Sequence, residues 1–317
     1  MRQKLSLRTT VIYYLVVTIT LIVSFLSVCF SSFIHAYGLL FASLLILFIG
    51  VPHGATDHLV FNFLSKNNIS VRATIRFYLL YIFSALAYAL CWLLFPSLSL
   101  NIFIIISVYH LGQSNFHYLT LPNKIIKAFI YSGWGLFIIS APILLKAQEA
   151  KAISQSFNWQ LWLINIENKQ QFLVILVILN ILVINGLFSC KYIDQKELLR
   201  EHLNLLVLGL LFYTTPLIIS FGIYFSLWHS LGSTFDQIQL FKIGDRNINL
   251  ISFYLKAIPL TIASLTIFIA VSLILVNFNI QELAKNLNTI IALFFIFIAT
   301  ITLPHTIIRD RLYKNCI

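Results

Sequence analysis

The sequence predicts an all-α, polytopic bundle of about ten transmembrane helices, with residues 1–317 forming a single integral membrane domain and both termini cytoplasmic. Three observations lead there. Of the residues, 60% are hydrophobic and 10% charged, against roughly 25% charged in soluble domains. Apolar runs such as Val11 to Val28 and Leu260 to Val276 approach the roughly 20 residues that a hydrocarbon core requires. The Lys and Arg residues divide unevenly between alternate loops, as spanning segments demand.

Cutting at charge clusters and at Pro, Asn and Ser turns places the spans near 10–33, 37–60, 77–95, 98–119, 125–145, 171–190, 203–215, 216–234, 254–276 and 288–307. The first follows Arg2, Lys4 and Arg8 without a small-residue cleavage site, so a retained helix is expected. Between the fifth and sixth, the loop from Lys146 to Gln170 holds Trp159 and Trp162, which suit a segment lying on the membrane surface. Only Thr214, Thr215 and Pro216 separate the seventh span from the eighth, and one long kinked segment is the alternative. With a cytoplasmic N-terminus the ten spans put 17 basic residues inside, Arg309 and Arg311 among them, and 4 outside. Arg309 and Asp310 are therefore expected as cytoplasmic anchors without a catalytic role.

The net charge of +11 comes from basic residues in twos and threes between apolar runs. They form no basic stripe, which argues against a nucleic-acid partner. Cys29, Cys91, Cys190 and Cys316 stand alone, without a C-x-x-C pair.

Histidine is the informative residue. His35 and His202 fall in loops or at a helix edge, as solvated surface. The other six occupy four polar interruptions: Pro52-His53-Gly54-Ala55-Thr56-Asp57-His58, then His110 to His117, then Trp228-His229-Ser230, and Pro304-His305. These lie on the second, fourth, eighth and tenth spans, all in the cytoplasmic half. A single intramembrane histidine is commonly an interhelical hydrogen bond. Four at one depth point to a site, because ionisable groups in a bilayer face interior cavities, and neutral imidazole suits Fe, Zn, Cu and Ni.

Spacing sorts the candidates. His53 and Asp57 share a helical face, so Asp57 is a candidate to orient a ligand or accept a nearby hydrogen bond. His58 lies about 140° round from His53 on a regular helix, and one ion takes both only if the backbone breaks. His110 and His117 stand about 10 Å apart along the axis, too far for one ion. His53, His110, His229 and His305, one per helix, make the economical set.

At these residues the chain resembles the Brp/Blh family of membrane β-carotene 15,15′-dioxygenases found beside microbial rhodopsins. The resemblance runs from Pro52 to His305. It rests on Pro52-His53-Gly54-Ala55 with Asp57, on His110-Leu111-Gly112 where the family has His-Phe-Gly, and on Trp228-His229-Ser230. It implies an Fe(2+) enzyme of the cell membrane that cleaves the central double bond of β-carotene with O2, an oxidoreductase incorporating O2 into a single donor. The two retinal molecules formed would serve a microbial rhodopsin. It implies iron ligands, and catalytic roles, at His53, His110 and His229. Members with the full pattern carry an Arg-His pair where this sequence has Gly232-Ser233. Serine is a poor ligand for ferrous iron, so a fourth ligand comes from His305, or three histidines suffice, or activity has been lost. Asp57 and His58 remain supporting candidates, and no substrate-binding residue is assigned.

A carotenoid is an apolar polyene whose natural solvent is the lipid bilayer, so an intramembrane site agrees with the composition. The 28 Phe and 14 Tyr supply aromatic surface for a tunnel, though ordinary packing and lipid contact account for most of them. Three rivals stand beside this reading. A membrane di-iron desaturase or hydroxylase fits His53-x4-His58 but needs a box ending in adjacent histidines. A transporter or channel fits the polar breaks at Gly54, Gly112 and Gly232 but would show internal repeats. A haem protein fits His53 paired with His110.

Overall fold

Helix boundaries fall where local chemistry sets them. In the computed structural model, which describes residues 7–65, 70–155, 159–243, 249–275 and 287–316, α1 (Leu7–Cys29) gives way to α2 (Ser31–Leu45) through Phe30 alone, at φ −132°, ψ 52°. The break expected between residues 33 and 37 is therefore earlier and tighter, and His35 sits exposed on a helix. A π-helical turn, Ile46–Gly50, carries α2 into α3 (Val51–Gly54), and Ala55 and Thr56 interrupt the run before α4 (Asp57–Leu64).

Side-chain caps open the next helices by satisfying orphan N–H groups. Ser70 Oγ accepts from Ala73 N at the start of α5 (Val71–Leu94). Pro96 starts α6 (Pro96–Phe116) at a position where its missing donor costs nothing. Asn123 caps α7 (Lys124–Leu145). The loop expected at the membrane surface folds as α8 (Ala147–Gln155) and a 3-10 turn, Trp162–Asn165. After α9 (Lys169–Ser189), a capping box of Asp194 and Glu197 opens α10 (Gln195–Thr214), which takes His202 into the body of a helix rather than a loop or helix edge.

Thr215 and Pro216 are extended, with ψ of 153° and 154°, so α10 and α11 (Leu217–Ile223) are separate helices and not one kinked segment. A second π-helical turn, Tyr224–Leu231, continues α11 into α12 (Gly232–Ile243). The chain closes with α13 (Leu250–Leu275) and α14 (Leu287–Cys316). No strand occurs among the described residues.

Seven helical stretches among the described residues are long and apolar enough to cross a membrane: Thr10–Cys29, Ser31–Leu64, Val71–Leu94, Lys124–Leu145, Lys169–Ser189, Leu250–Ala270 and Ile290–Lys314. That is fewer than the expected ten. The other three expected spans correspond to α6, α10 and the α11–α12 run, whose apolar character is diluted by side chains such as His110, Gln113, Glu201 and His229, all of them buried. Outward faces are the reverse of a soluble protein, with Leu79, Phe83 and Leu86 of α5 exposed, Phe83 to 70%.

The most extensive helix pairing among the described residues is that of α6 with α7. A Cβ on Gly112 would run into the Tyr131 carbonyl, and one on Gly135 into that of Val108, so the two backbones touch through reciprocal glycines. Gly112→Ala is expected to force the helices apart at a cost of about 1–3 kcal/mol. Thermal unfolding of the purified variant in detergent measures it, and an unchanged midpoint would mean that the crossing yields freely.

Candidate metal centre

The four polar interruptions meet at one point. His53 follows the first π turn and Pro52, His229 lies inside the second π turn, His110 comes from α6 and His305 from α14 behind Pro304. A π turn holds one residue more than an α turn and such bulges gather at functional positions. Here the two π turns pack on each other. Ring centroids stand 5.4 Å apart for His53 and His229, 5.1 Å for His229 and His110, 5.3 Å for His110 and His305, and 5.0 Å for His305 and His53. The rings thus close a four-sided figure, each edge-on to its neighbours. All four residues are buried. Nitrogens of His53, His229 and His305 lie within 4.8 Å of one another, a grouping able to hold a metal ion. His110 packs beside that trio, outside the 4.8 Å group.

Hydrogen bonding fixes which nitrogens are free. His305 Nδ1 lies 2.9 and 3.0 Å from the two oxygens of Asp57. A carboxylate accepts, so Nδ1 carries the proton and Nε2 keeps its lone pair. His53 Nδ1 meets Thr234 Oγ1 at 3.3 Å. His53 Nε2, His229 Nδ1 and both ring nitrogens of His110 are buried without a hydrogen-bond partner among the described residues. Unpartnered imidazoles are costly in an apolar interior, and this donor set fits a transition metal.

Residues 44–313 match the family described as Beta-carotene 15,15'-dioxygenase. The chain belongs to the β-carotene 15,15′-dioxygenase family. Among curated relatives, the β-carotene 15,15′-dioxygenase of uncultured marine bacterium 66A03 is 28% identical over 284 residues, covering 85% of this chain and 92% of the relative. No solved structure matches. As a member of the β-carotene 15,15′-dioxygenase family the chain is a carotenoid-cleaving dioxygenase, and the matched stretch includes all four histidines.

Several sequence expectations need correction. The backbone break at Ala55 and Thr56 does exist, yet it directs Asp57 rather than His58 to the centre. His58 bonds the Ala55 carbonyl through Nδ1 at 3.0 Å and stays half-buried outside the cluster. Asp57, expected to orient a ligand or accept a nearby hydrogen bond, accepts from His305 rather than from His53 one turn before it. Arg309, expected as a cytoplasmic anchor, is fully buried. Its Nε stands 3.5 Å from Asp57 Oδ1 and its Nη2 donates to the His53 carbonyl at 3.4 Å. Tyr81 donates to Asp57 Oδ2 at 2.9 Å. Arg309 was findable, since it lies one turn after His305 on the same helical face; Tyr81 and Thr234 carried no sequence signal. Trp228, the other half of its dioxygenase-family motif, points away and donates to Thr20 Oγ1 at 3.0 Å, tying the π turn to α1. Ser233 is buried one turn beyond His229, and the third ring of the trio comes from α14.

An apolar cavity opens on the rings, with an empty volume of about 1400 Å³ including its mouth. Leu100, Phe103, Ile138, Phe221, Phe225 and Phe295 are among its walls, with all four histidines in its lining. Phe225 stacks on His229 at 5.9 Å and on Phe221 at 5.5 Å, continuing the aromatic wall away from the centre.

Proposed function

We propose that this chain uses ferrous iron and O2 to cleave β-carotene at its central 15,15′ double bond, giving two molecules of retinal. The observation that carries the proposal is the convergence of four imidazoles, with unpartnered nitrogens, on the end of an apolar cavity. In the overall reaction the double bond is broken and each of its carbons takes one oxygen atom of O2. His53 and His305 offer Nε2, His229 completes the trio, and His110, with both nitrogens free, is the fourth ligand. Ferrous iron held by these residues would bind and activate O2. Asp57 holds the His305 ring with its lone pair toward the centre. Phe221, Phe225 and Phe295 hold the polyene and exclude water. Catalysis is assigned to His53, His110 and His229, and metal binding to these three with His305.

The same reading makes residues 1–317 one integral unit of the cell membrane with ten passes and both termini cytoplasmic. It is supported by the seven apolar helices, by the buried polar side chains of α6, α10 and the α11–α12 run, and by the 17 to 4 division of basic residues. The carotenoid then enters from the lipid, and retinal is released where a microbial rhodopsin can take it up.

Expression in cells that accumulate β-carotene, with retinal assayed by chromatography, tests the function. Retinal is expected, lost on chelation and restored by Fe(II) but not Zn(II); intact carotene with the protein present in the membrane would reject it. His305→Ala is expected to lower retinal formation by about tenfold or more. Ser233→His in that background, on the same face as His229, should recover part of it. No recovery would mean that the two positions are not interchangeable ligand sources.

A further inference from the structure

We propose that the cavity is a one-sided ruler: it admits one ring-terminated half of the carotenoid, and the cap built from α8 and the Trp162–Asn165 turn sets which double bond meets the histidines. This rests on the carotenoid-cleaving reading above and adds how the cut is placed.

The cavity extends from the rings in one direction only. Along α6 its lining runs from His110 back to Leu100, and along α14 from His305 back to Phe295, about 15 Å in each case at 1.5 Å per residue. On the opposite side of the rings stand Asp57, Arg309 and Gln113, all buried, with Gln113 Nε2 bonded to Asp310. An apolar chain cannot continue through that polar plug without stripping its hydrogen bonds.

The far end is a fixed wall. Ile153, Trp159 and Leu161 line it and are buried. Glu149 Oε2 accepts from Leu217 N at 2.8 Å and so fastens α8 to the start of α11. Asn101 Nδ2 donates to the Gln160 carbonyl at 2.9 Å, Gln160 N donates to Ser97 Oγ at 3.0 Å, and Trp162 N donates to Asn101 Oδ1 at 3.3 Å. Trp159 packs edge-on to Trp92 with centroids 5.1 Å apart. A cap pinned to α6 through its own backbone and to α11 through the Glu149 side chain is a stop that resists displacement by substrate. The compartment is comparable in length to half of a symmetric carotenoid, from central double bond to the end of the ring. With the ring seated against Trp159 and Leu161, the central bond lies at the histidines, and the second half remains outside the compartment.

Moving the wall should therefore move the cut. Leu161→Ala lets the ring slide deeper, and Ala150→Phe stops it short. Each brings a neighbouring, methyl-bearing double bond to the histidines, so the two products become unequal, one an aldehyde and the other a methyl ketone, while their carbons still sum to the substrate. The test is expression of wild type and both variants in β-carotene-accumulating cells, with the carbonyl products trapped as oximes and sized by liquid chromatography and mass spectrometry. A pocket discriminates one methylene by about tenfold or more, so the unequal pair is expected to rise at least about tenfold in its share of product. Equal products from active variants would overturn the ruler and leave the dioxygenase reading intact. No aldehyde from wild type would overturn the reading beneath it. If both variants fail to accumulate, wild type decides with a carotenoid truncated at one end. The ruler requires the cut at the same distance from the remaining ring, and a cut shifted toward the new midpoint overturns it.

Discussion

His53→Ala is expected to empty the centre of metal and to abolish retinal formation, with both falling by more than about a hundredfold. Loss of a residue that merely supports a metal ligand costs 10–100-fold in affinity or activity, and His53 is placed to be a ligand. Its ring borders both His229 and His305, so its removal opens two sides of the four-sided figure at once. Its Nε2 is buried with no alternative partner, and alanine leaves an apolar void that no neighbouring donor can reach across. Iron per chain by elemental analysis and retinal by chromatography measure the two effects together. Full iron with full activity in the variant would remove His53 from the centre.

The second large effect is expected at the buried ion pair. Asp57→Asn should destabilise the protein by about 3–5 kcal/mol, the range for breaking a buried pair. Arg309 would then keep its charge with little more than the His53 carbonyl at 3.4 Å for company. Arg309→Met should cost a similar amount by stranding the carboxylate beside Tyr81 and His305. The double variant should be less damaged than the sum of the singles, because removing both charges leaves none uncompensated. Thermal unfolding in detergent yields this cycle, and simple additivity would show that the pair is not coupled. Asp57→Asn carries a second signature, since it replaces an acceptor-only carboxylate by an amide that can accept or donate, so the His305 tautomer is no longer fixed. Metal affinity should drop 10–100-fold even where the fold survives.

How much of this was legible varied with the kind of signal. Apolar run length is a property of contiguous residues, so seven spans can be read from composition. Helices lined with buried polar groups, such as α6 with His110 and Gln113, are less distinct, because the side chains that mark a site dilute the apolar run. The four histidines stood out because imidazole is rare at that depth, and the structure brings their rings together. Partnerships were harder. Asp57 stood out as a group able to orient a ligand or accept a nearby hydrogen bond, but regular helical spacing puts it on the face of His53, and its bond goes to His305 beyond the interruption at Ala55 and Thr56. Arg309 was misread because a basic residue near a helix end ordinarily marks the cytoplasmic face, and its one local signal, a place one turn after His305, was outweighed by that rule.

The two π turns put part of the design into residue count rather than residue identity. An extra residue in a helical turn rotates everything after it by about 100°, so the aim of His229 and of the segment carrying His53 depends on how many residues precede them. Replacing Ile46–Gly50 or Tyr224–Leu231 position by position leaves that number untouched. A single insertion or deletion there would swing an imidazole from the interior to the lipid while barely changing the composition of the helix. A lineage can therefore switch such a centre on or off by a change in length that a comparison of aligned residue types would pass over.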